Sequence, residues 1–212
     1  MNYNRYIDHT LLKQDASIEQ IEKLCKEAIK HDFFSVCINP WYIPACKKFL
    51  TGSNVKVCTV IGFPLGSMTT EAKVFETKDA IAKGADEIDM VLNISQLKAK
   101  NLNYVVDEIN KIKAECPNNV LKVIIETCLL SEEDKINACK CVSQSNADFI
   151  KTSTGFSTGG ATVDDVKLLK QHTSSNKKVK AAGGVRTHQD LVDMVNAGAE
   201  RIGTSRGVDL IK

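Results

Sequence analysis

Segments 147–156 (ADFIKTSTGF) and 178–187 (KVKAAGGVRT) share one pattern, in which a short apolar run carries a lysine near its end and small or hydroxyl residues follow. Such a run is typical of a buried strand that enters a loop. Residues 162–172, between the two segments, have the apolar spacing of a helix and begin at threonine, a good helix cap. Together they predict a strand, a helix and a parallel strand.

The same alternation extends over the rest of the chain. The other apolar runs that predict strands are 6–10 (YIDHT), 33–39 (FFSVCIN), 55–63 (VKVCTVIGF), 85–93 (ADEIDMVLN), 120–127 (VLKVIIET) and 200–205 (ERIGTS). Amphipathic stretches that predict helices are 17–31, 69–83, 102–116, 131–143 and 187–197. Eight βα units without a linker predict an α/β protein with one domain, residues 1–212, folded as a (β/α)8 TIM barrel. A six-stranded doubly wound sheet is the alternative, but the chain lacks its G-x-G-x-x-G turn after the first strand.

Composition narrows the class of protein. The chain has 212 residues, of which 43% are hydrophobic and 25% charged, and this suits one domain with a substantial core. A net charge of +2 does not indicate a nucleic-acid partner. No apolar run approaches the length of about 18 residues that a membrane helix needs, and the N-terminus lacks the apolar core of a signal peptide. We therefore expect a cytoplasmic protein that does not bind membranes.

Cysteine and histidine spacing bears on metal chemistry. The eight cysteines form no C-x-x-C pair, and the four histidines form neither H-x-H nor H-E-x-x-H. This spacing favours reduced, mostly buried thiols over disulfides or a metal centre.

Polar residues and glycines lie where the predicted strands end, the position that builds the active site of a TIM barrel. They are Asp8, Thr10, Asn39, Gly62, Asp89, Glu126, Lys151, Lys180 and Ser205. Each has an ordinary explanation by itself, such as a helix cap for Asp8 or a neighbouring cation for Glu126. Lys122 adds a further charge inside the apolar run 120–127. Their convergence at one end of a barrel predicts a catalytic site.

Two lysines in apolar surroundings suggest amine chemistry. At an ordinary pKa of about 10.4, only roughly one lysine in 2,500 is neutral at pH 7. Desolvation and a second positive charge nearby lower the pKa of a lysine, and the neutral amine then attacks a carbonyl. Lys151 projects from an apolar strand, whereas Lys178 and Lys180 share one side of the next strand, so the pattern does not say which of the two enters the barrel. Asp89, between Ile88 and Met90, is predicted to be buried and to need a cation or a reacting proton.

Two glycine-rich turns predict a phosphate site. Residues 183–187 (GGVRT) and 203–207 (GTSRG) each open a predicted helix, where free backbone amides point at an anion and glycine permits close approach. TIM barrels often bind phosphate after strands 7 and 8. Gly155, after Lys151, is placed to close a third side, and plain βα turns are the alternative explanation.

The motifs FIKTSTGF, KAAGGVRT, GADEIDMVLN, LKVIIET and IDHTLL together resemble the deoxyribose-phosphate aldolase family of class I aldolases, over nearly the whole chain. FIKTSTG followed by AGGVRT is the specific part of this resemblance. It implies a TIM barrel that reversibly cleaves 2-deoxy-D-ribose 5-phosphate into acetaldehyde and D-glyceraldehyde 3-phosphate. It implies no metal or organic cofactor.

The resemblance also implies roles for individual residues. Lys151 would form the Schiff base, Lys180 would depress the pKa of Lys151, and Asp89 would transfer protons. The AAGG turn directly after Lys180 selects it over Lys178. The other implied members are a supporting network of Asp8, Thr10 and Lys122 and a phosphate site of Gly155, Gly183, Gly184, Gly203 and Ser205, with Arg186 as a further candidate.

The chain departs from this family pattern in two places. Arg206 stands where many relatives have a second serine, which adds a cation near the predicted phosphate site. The sequence stops at Lys212, so a tail residue such as the terminal tyrosine of some relatives is not expected to assist proton transfer.

Two other functions fit parts of the pattern. One is an isomerisation or a different aldol cleavage of a phosphorylated sugar in the same barrel, and the other is a catalytically silent barrel that serves as a scaffold. The retained Lys151, Lys180 and Asp89 argue against the scaffold. The sequence leaves the oligomeric state open, with a homodimer as one candidate.

Overall fold

Eight parallel strands form a closed barrel in the computed structural model, which describes residues 2–212. The strands are β1 (Ile7–Leu11), β2 (Ser35–Ile38), β3 (Lys56–Ile61), β4 (Glu87–Val91), β5 (Val120–Ile124), β6 (Phe149–Lys151), β7 (Lys178–Ala182) and β8 (Arg201–Thr204). Each strand pairs with the next along the chain, and β8 pairs with β1 through Asp8 opposite Gly203. The prediction of a (β/α)8 TIM barrel is confirmed, and the doubly wound sheet is excluded.

Helices follow the strands and cover the outside of the barrel. They are α1 (Ile18–Lys30), α2 (Ile43–Phe49), α3 (Thr70–Ala82), α4 (Ile94–Lys98), α5 (Leu102–Glu115), α6 (Glu132–Gln144), α7 (Val163–His172), α8 (His188–Asn196) and α9 (Gly207–Leu210). Single 3-10 turns occur at Asn4–Tyr6, Pro40–Tyr42 and Thr127–Leu129.

Side-chain caps explain why the longer helices begin where the sequence predicts. Ser17, Ser131 and Thr187 each accept a hydrogen bond from the backbone three residues later, and that third residue caps in return. The six predicted helices agree with α1, α3, α5, α6, α7 and α8 to within one residue at each end. A further helix was expected after residues 203–207, and α9 begins there at Gly207. Helices α2 and α4 were not predicted, because helices of seven and five residues show too few turns for an apolar period.

The alternation of side chains along each strand separates two environments. In β4, Ile88 and Met90 belong to the apolar core between barrel and helices, whereas Glu87 and Asp89 contact cations inside the barrel. The barrel interior is therefore polar at this level. Within residues 2–212, no helix has the length and apolarity needed to cross a bilayer. All eight cysteines are free, and seven of them are buried, as predicted.

Candidate active site

A cavity of about 300 Å³ opens at the carboxyl ends of the strands and is lined by the segments that follow β1, β6, β7 and β8. Eight of the predicted site residues line it: Thr10, Lys151, Gly155, Gly183, Gly184, Arg186, Gly203 and Ser205. Lys151 is only 3% exposed, so little more than its end meets the cavity. This is the end of the barrel at which the sequence analysis placed the site.

The four other residues to which the resemblance gives a role, Asp8, Asp89, Lys122 and Lys180, are fully buried. The remaining strand-end residues, Asn39, Gly62 and Glu126, do not line the cavity. Asp89 is at the centre of the fully buried group. Its Oδ2 lies 2.8 Å from the Lys151 Nζ and 2.7 Å from the Lys180 Nζ, and its Oδ1 lies 2.8 Å from the Lys122 Nζ. Three ammonium groups from β5, β6 and β7 thus share one carboxylate from β4.

The ion pairs continue from Asp89 through the barrel interior. The Lys180 Nζ lies 2.5 Å from Asp8 Oδ2, and Arg201 bridges Asp8 at 2.9 Å and Glu87 at 2.5 Å. Glu87 in turn lies 2.6 Å from the Lys122 Nζ. We refer to Asp8, Glu87, Asp89, Lys122, Lys151, Lys180 and Arg201 as the barrel charge network. Its three carboxylates face four cations, so the network carries one excess positive charge when every group is ionised.

The pKa values within the network follow from this pairing. Burial by itself raises the pKa of Asp89, but the charges of Lys122, Lys151 and Lys180 outweigh it and hold that pKa well below its usual range. Burial lowers the pKa of Lys180, and the carboxylates of Asp8 and Asp89 outweigh it, so the net shift is upward. Asp89 is therefore a carboxylate and Lys180 an ammonium at neutral pH.

Two members of the network, Glu87 and Arg201, were missed by the sequence analysis. Glu87 has the same strand parity as Asp89, and Arg201 has the same parity as Gly203, which signals an inward position. Strand parity shows on which side of a strand a residue lies, but it does not show how deep in the barrel the residue lies. Lys178 and Lys180 share parity too, yet Lys178 is exposed at the start of β7 whereas Lys180 is fully buried.

The resemblance implies that Lys180 is the second positive charge near Lys151. The Lys180 Nζ contacts the same carboxylate as Lys151 and a second one, Asp8. Its charge is therefore compensated locally, and the cations of the network compete for too few carboxylates.

The outer end of the cavity suits an anion. Gly155, Gly183 and Gly184 have φ of +84°, +77° and +80°, the left-handed region that favours glycine, and they bring backbone close to the cavity. Three cationic residues line the cavity beside these turns: Lys13, Arg186 and Arg206. Lys13 was not predicted.

An aromatic pair lies at the cavity edge. Phe156 lines the cavity, is 53% exposed and meets the Phe63 ring edge-on, with 5.2 Å between ring centres. Leu12, another lining residue, packs in a small apolar cluster to which Phe63 also belongs. The cavity thus joins a cationic, glycine-rich part to a part with apolar side chains.

One group of potential metal ligands lies inside the barrel. The donor atoms of Cys37, Cys58 and Asp89 lie within 4.8 Å of one another. The Lys122 Nζ is 3.5 Å from the Cys58 sulfur, and burial raises the pKa of Cys58 well above its ordinary value. A protonated Cys58 thiol beside the Lys122 ammonium disfavours a bound cation, so this arrangement suits an ion-paired Asp89 better than a metal centre.

Comparison with known proteins places the chain among aldolases. A family model described as DeoC/LacD family aldolase matches residues 4–211. The chain is 60% identical to a deoxyribose-phosphate aldolase of Malacoplasma penetrans over 205 residues, which cover 97% of this chain and 92% of the relative. It is 56% identical to a deoxyribose-phosphate aldolase of Brevibacillus brevis over 211 residues, which cover 100% and 96%. A solved structure, described as a unique tetrameric structure of deoxyribose phosphate aldolase from Aeropyrum pernix, matches with a TM-score of 0.91 and 33% identity, covering 98% of this chain and 88% of that one.

Proposed function

This chain belongs to the DeoC/LacD family of aldolases, as its motifs predicted, and we propose that it reversibly cleaves 2-deoxy-D-ribose 5-phosphate through a Schiff base on Lys151. The products are acetaldehyde and D-glyceraldehyde 3-phosphate. One observation carries the proposal: a single amine of the barrel charge network meets the cavity, and the cavity's other end is lined by glycine turns and cations. A phosphorylated aldehyde has a carbonyl carbon that can react with the amine and a phosphate group that suits the glycine turns and cations.

Lys151 has the fewest ion-pair contacts of the three lysines that share Asp89. Lys122 contacts Glu87 and Asp89, and Lys180 contacts Asp8 and Asp89, whereas Lys151 contacts Asp89 alone. Lys151 is therefore the least constrained of the three amines, and it is the one that meets the cavity.

The first half of the reaction forms the covalent intermediate. The Lys151 nitrogen attacks the aldehyde carbon of the open-chain sugar, and the carbonyl oxygen takes a proton to give a carbinolamine. Loss of the hydroxyl group as water leaves an iminium ion. Its positive nitrogen draws electrons from the neighbouring carbons, which prepares the bond between C2 and C3 for cleavage.

The second half breaks the carbon–carbon bond. The C3 hydroxyl loses its proton, C3 becomes the aldehyde carbon of glyceraldehyde 3-phosphate, and the bonding pair moves to C2 to form an enamine on Lys151. Protonation of C2 returns an iminium ion, and one water molecule hydrolyses it to acetaldehyde and free Lys151. The proposal assigns the proton transfers to Asp89, an ionised base in the resting enzyme, acting with Lys180 and water.

The phosphate group is assigned to the glycine-rich end. Backbone amides at or just after the ends of β6, β7 and β8 would bind the phosphate oxygens at Gly155, Gly183, Gly184, Gly203 and Ser205, the residues that line this part of the cavity. Arg186 and Arg206 add positive charge there. Binding at a fixed phosphate site holds the sugar aldehyde against Lys151, which lowers the entropic part of the barrier.

Two measurements test this function. Acetaldehyde release from 2-deoxyribose 5-phosphate, followed by oxidation of NADH in a coupled alcohol dehydrogenase assay, should be saturable. Borohydride reduction in the presence of acetaldehyde should leave an ethyl group on Lys151, located by peptide mass spectrometry, and omission of acetaldehyde is the control. An ethyl group on another lysine, or none, would contradict the assignment of Lys151.

A homodimer and a cytoplasmic location are proposed with the same function. Trp41 and Phe75 are 83% and 74% exposed, and large exposed apolar side chains are common at subunit contacts. Eight free cysteines suit a reducing compartment. Light scattering that gives the mass of one chain would contradict the dimer, and recovery of the protein outside the cytoplasmic fraction of cells would contradict the location.

A further inference from the structure

Glu126 has an unusual combination of burial and backbone conformation. It lies two residues beyond the end of β5, is 2% exposed and has φ 54° and ψ 68°, the left-handed region. A side chain with a Cβ is strained there, and such strain concentrates at functional sites. The sequence analysis offered a neighbouring cation as its partner, but no ion pair of Glu126 occurs in the part of the chain that the structure describes.

The carboxylate instead binds the loop that follows Lys151. The Thr154 backbone N–H donates to both carboxylate oxygens of Glu126 at 3.3 Å, and the Thr154 hydroxyl donates to one of them. The same hydroxyl oxygen accepts the Phe156 backbone N–H at 3.0 Å. A buried carboxylate with these partners satisfies its acceptors without a cation.

Further contacts join the two loops. The Thr127 backbone N–H donates to the Thr152 carbonyl oxygen at 2.9 Å, and the Cys128 sulfur lies 3.4 Å from the Ser157 hydroxyl. Gly159 packs so closely that an added Cβ would lie 2.9 Å from the Cys128 Cβ. The segment after β5 thus supports the segment after β6 along most of its length.

The supported segment includes residues that line the cavity. Thr154, Gly155 and Phe156 all do so, whereas Glu126 does not. Gly155 has φ of +84°, and a Cβ added to it would meet no atom within 4 Å apart from its chain neighbours, so the adjoining residues Thr154 and Phe156 decide much of its position. The hydrogen bonds from Glu126 to Thr154 and from Thr154 to Phe156 fix the residues on both sides of it.

We propose that Glu126 is a positioning residue that holds the Thr154–Phe156 segment in place for binding of the substrate phosphate. This inference rests on the proposed function, because it assigns the phosphate to the end of the cavity that contains Gly155. Glu126 acts through Thr154 and touches neither the reacting carbons nor Lys151. Its loss therefore weakens phosphate binding and leaves the amine chemistry intact.

Steady-state kinetics with two substrates tests the inference. Glu126→Ala should raise KM for 2-deoxyribose 5-phosphate by about tenfold, the effect of losing two hydrogen-bonding contacts, with kcat changed by less than about twofold. For unphosphorylated 2-deoxyribose, kcat/KM should change by less than about twofold. Glu126→Gln should retain most of the affinity, because its amide oxygen still accepts from the Thr154 N–H and hydroxyl.

Thr154→Val tests the same contact without changing the strained residue. It removes the hydroxyl that links Glu126 to Phe156 and should raise the same KM, and the double variant with Glu126→Ala should add little to either single variant. This variant also covers the case in which Glu126→Ala does not fold. Glu76→Ala is the matched control, since the Glu76 carboxylate accepts the Gly62 backbone N–H at 2.8 Å at the end of β3 and should give no phosphate-selective change.

Three outcomes would overturn the inference. They are an unchanged KM for the phosphorylated substrate in both Glu126→Ala and Thr154→Val, an equal loss with both substrates, and the same selective loss in Glu76→Ala. Failure of the proposed function has a different signature, because the wild-type protein would then neither release acetaldehyde nor gain an ethyl group on Lys151. If the wild-type protein is active and substitution of Glu126 leaves KM unchanged, only the positioning role of Glu126 is rejected.

Discussion

Two buried lysines of this protein, Lys73 and Lys151, have opposite surroundings. Lys73, on α3, is fully buried outside the barrel, and its Nζ lies 2.8 Å from Glu108 on α5 and 2.9 Å from the Val91 carbonyl oxygen. Lys151 is almost as buried but shares its one carboxylate, Asp89, with two other lysines. Only Lys151 lines a cavity at the end of the barrel.

The comparison shows that burial by itself does not make a lysine reactive. Burial lowers the pKa of Lys73, and the Glu108 carboxylate partly offsets that shift. In this ion pair one cation faces one anion. That pair joins α3 and α5 to the end of β4, where Glu108 also accepts the Asn93 backbone N–H at 3.0 Å. A matched ion pair serves structure, whereas under the proposed mechanism an excess of cations beside a cavity leaves one amine available for chemistry.

Lys151→Leu removes the proposed nucleophile and should have the largest effect on activity. Acetaldehyde release should fall by roughly 10⁴-fold or more, since no other amine of the network meets the cavity. The fold should survive, because Asp89 keeps Lys122 and Lys180 as partners. Turnover near the wild-type rate, measured on protein with an unchanged circular dichroism spectrum, would exclude Lys151 from the mechanism.

Lys73→Met removes the cation of the structural ion pair with Glu108. It leaves the Glu108 carboxylate buried without its cation, so the free energy of unfolding should fall by roughly 3–5 kcal/mol in urea titrations. The folded fraction should keep its kcat to within about threefold.

The double variant Lys73→Met/Glu108→Leu is the control for Lys73→Met, because replacing both charges with apolar groups should recover most of the lost stability. A large loss of kcat in the folded fraction of Lys73→Met would remove the distinction between the two lysines.

Lys180→Leu sharpens the comparison by changing the balance of charge. The Asp8 and Asp89 carboxylates raise the pKa of Lys180 against the effect of burial, so Lys180 is an ammonium throughout the working pH range. Its removal leaves Asp89 with fewer cations, so the remaining ion pair between Asp89 and Lys151 becomes stronger. The rising limb of the pH profile of kcat should move upward by about one unit, which costs roughly tenfold in rate below that limb.

An unchanged pH profile in Lys180→Leu, or one that moves to lower pH, would contradict the competition for Asp89. Lys178→Leu, an exposed lysine two residues earlier on the same strand, is the control and should leave the profile in place.

Arg206→Ser should have the smallest effect. Arg206 is exposed at the cavity edge, and an exposed cation contributes little to binding, so KM for the phosphorylated substrate should rise about threefold. The rise should diminish in high salt, because mobile ions screen an exposed charge. An effect on unphosphorylated 2-deoxyribose of the same size would show that Arg206 does not act on the phosphate.

Local pattern was enough for much of the fold and for part of the site. Strands and longer helices could be predicted because the period of apolar residues and the capping residues are written in consecutive positions. The glycine turns and Lys151 were also found, since each stands at the end of a recognisable strand. The short helices α2 and α4 were missed because they show too few turns for an apolar period. Lys13, Glu87 and Arg201 were missed because depth in the barrel and packing decide their positions.

The sequence by itself determined that a strand–helix repeat carries lysines and glycine turns at one end. Only the tertiary structure decided which charges meet: Asp89 contacts lysines that lie 33, 62 and 91 positions further along the chain. The physical reason is that these distances depend on the register and closure of eight strands. Closure of the barrel brings four cations into contact with three carboxylates. Lys151 is the one residue of this barrel charge network that lines the cavity.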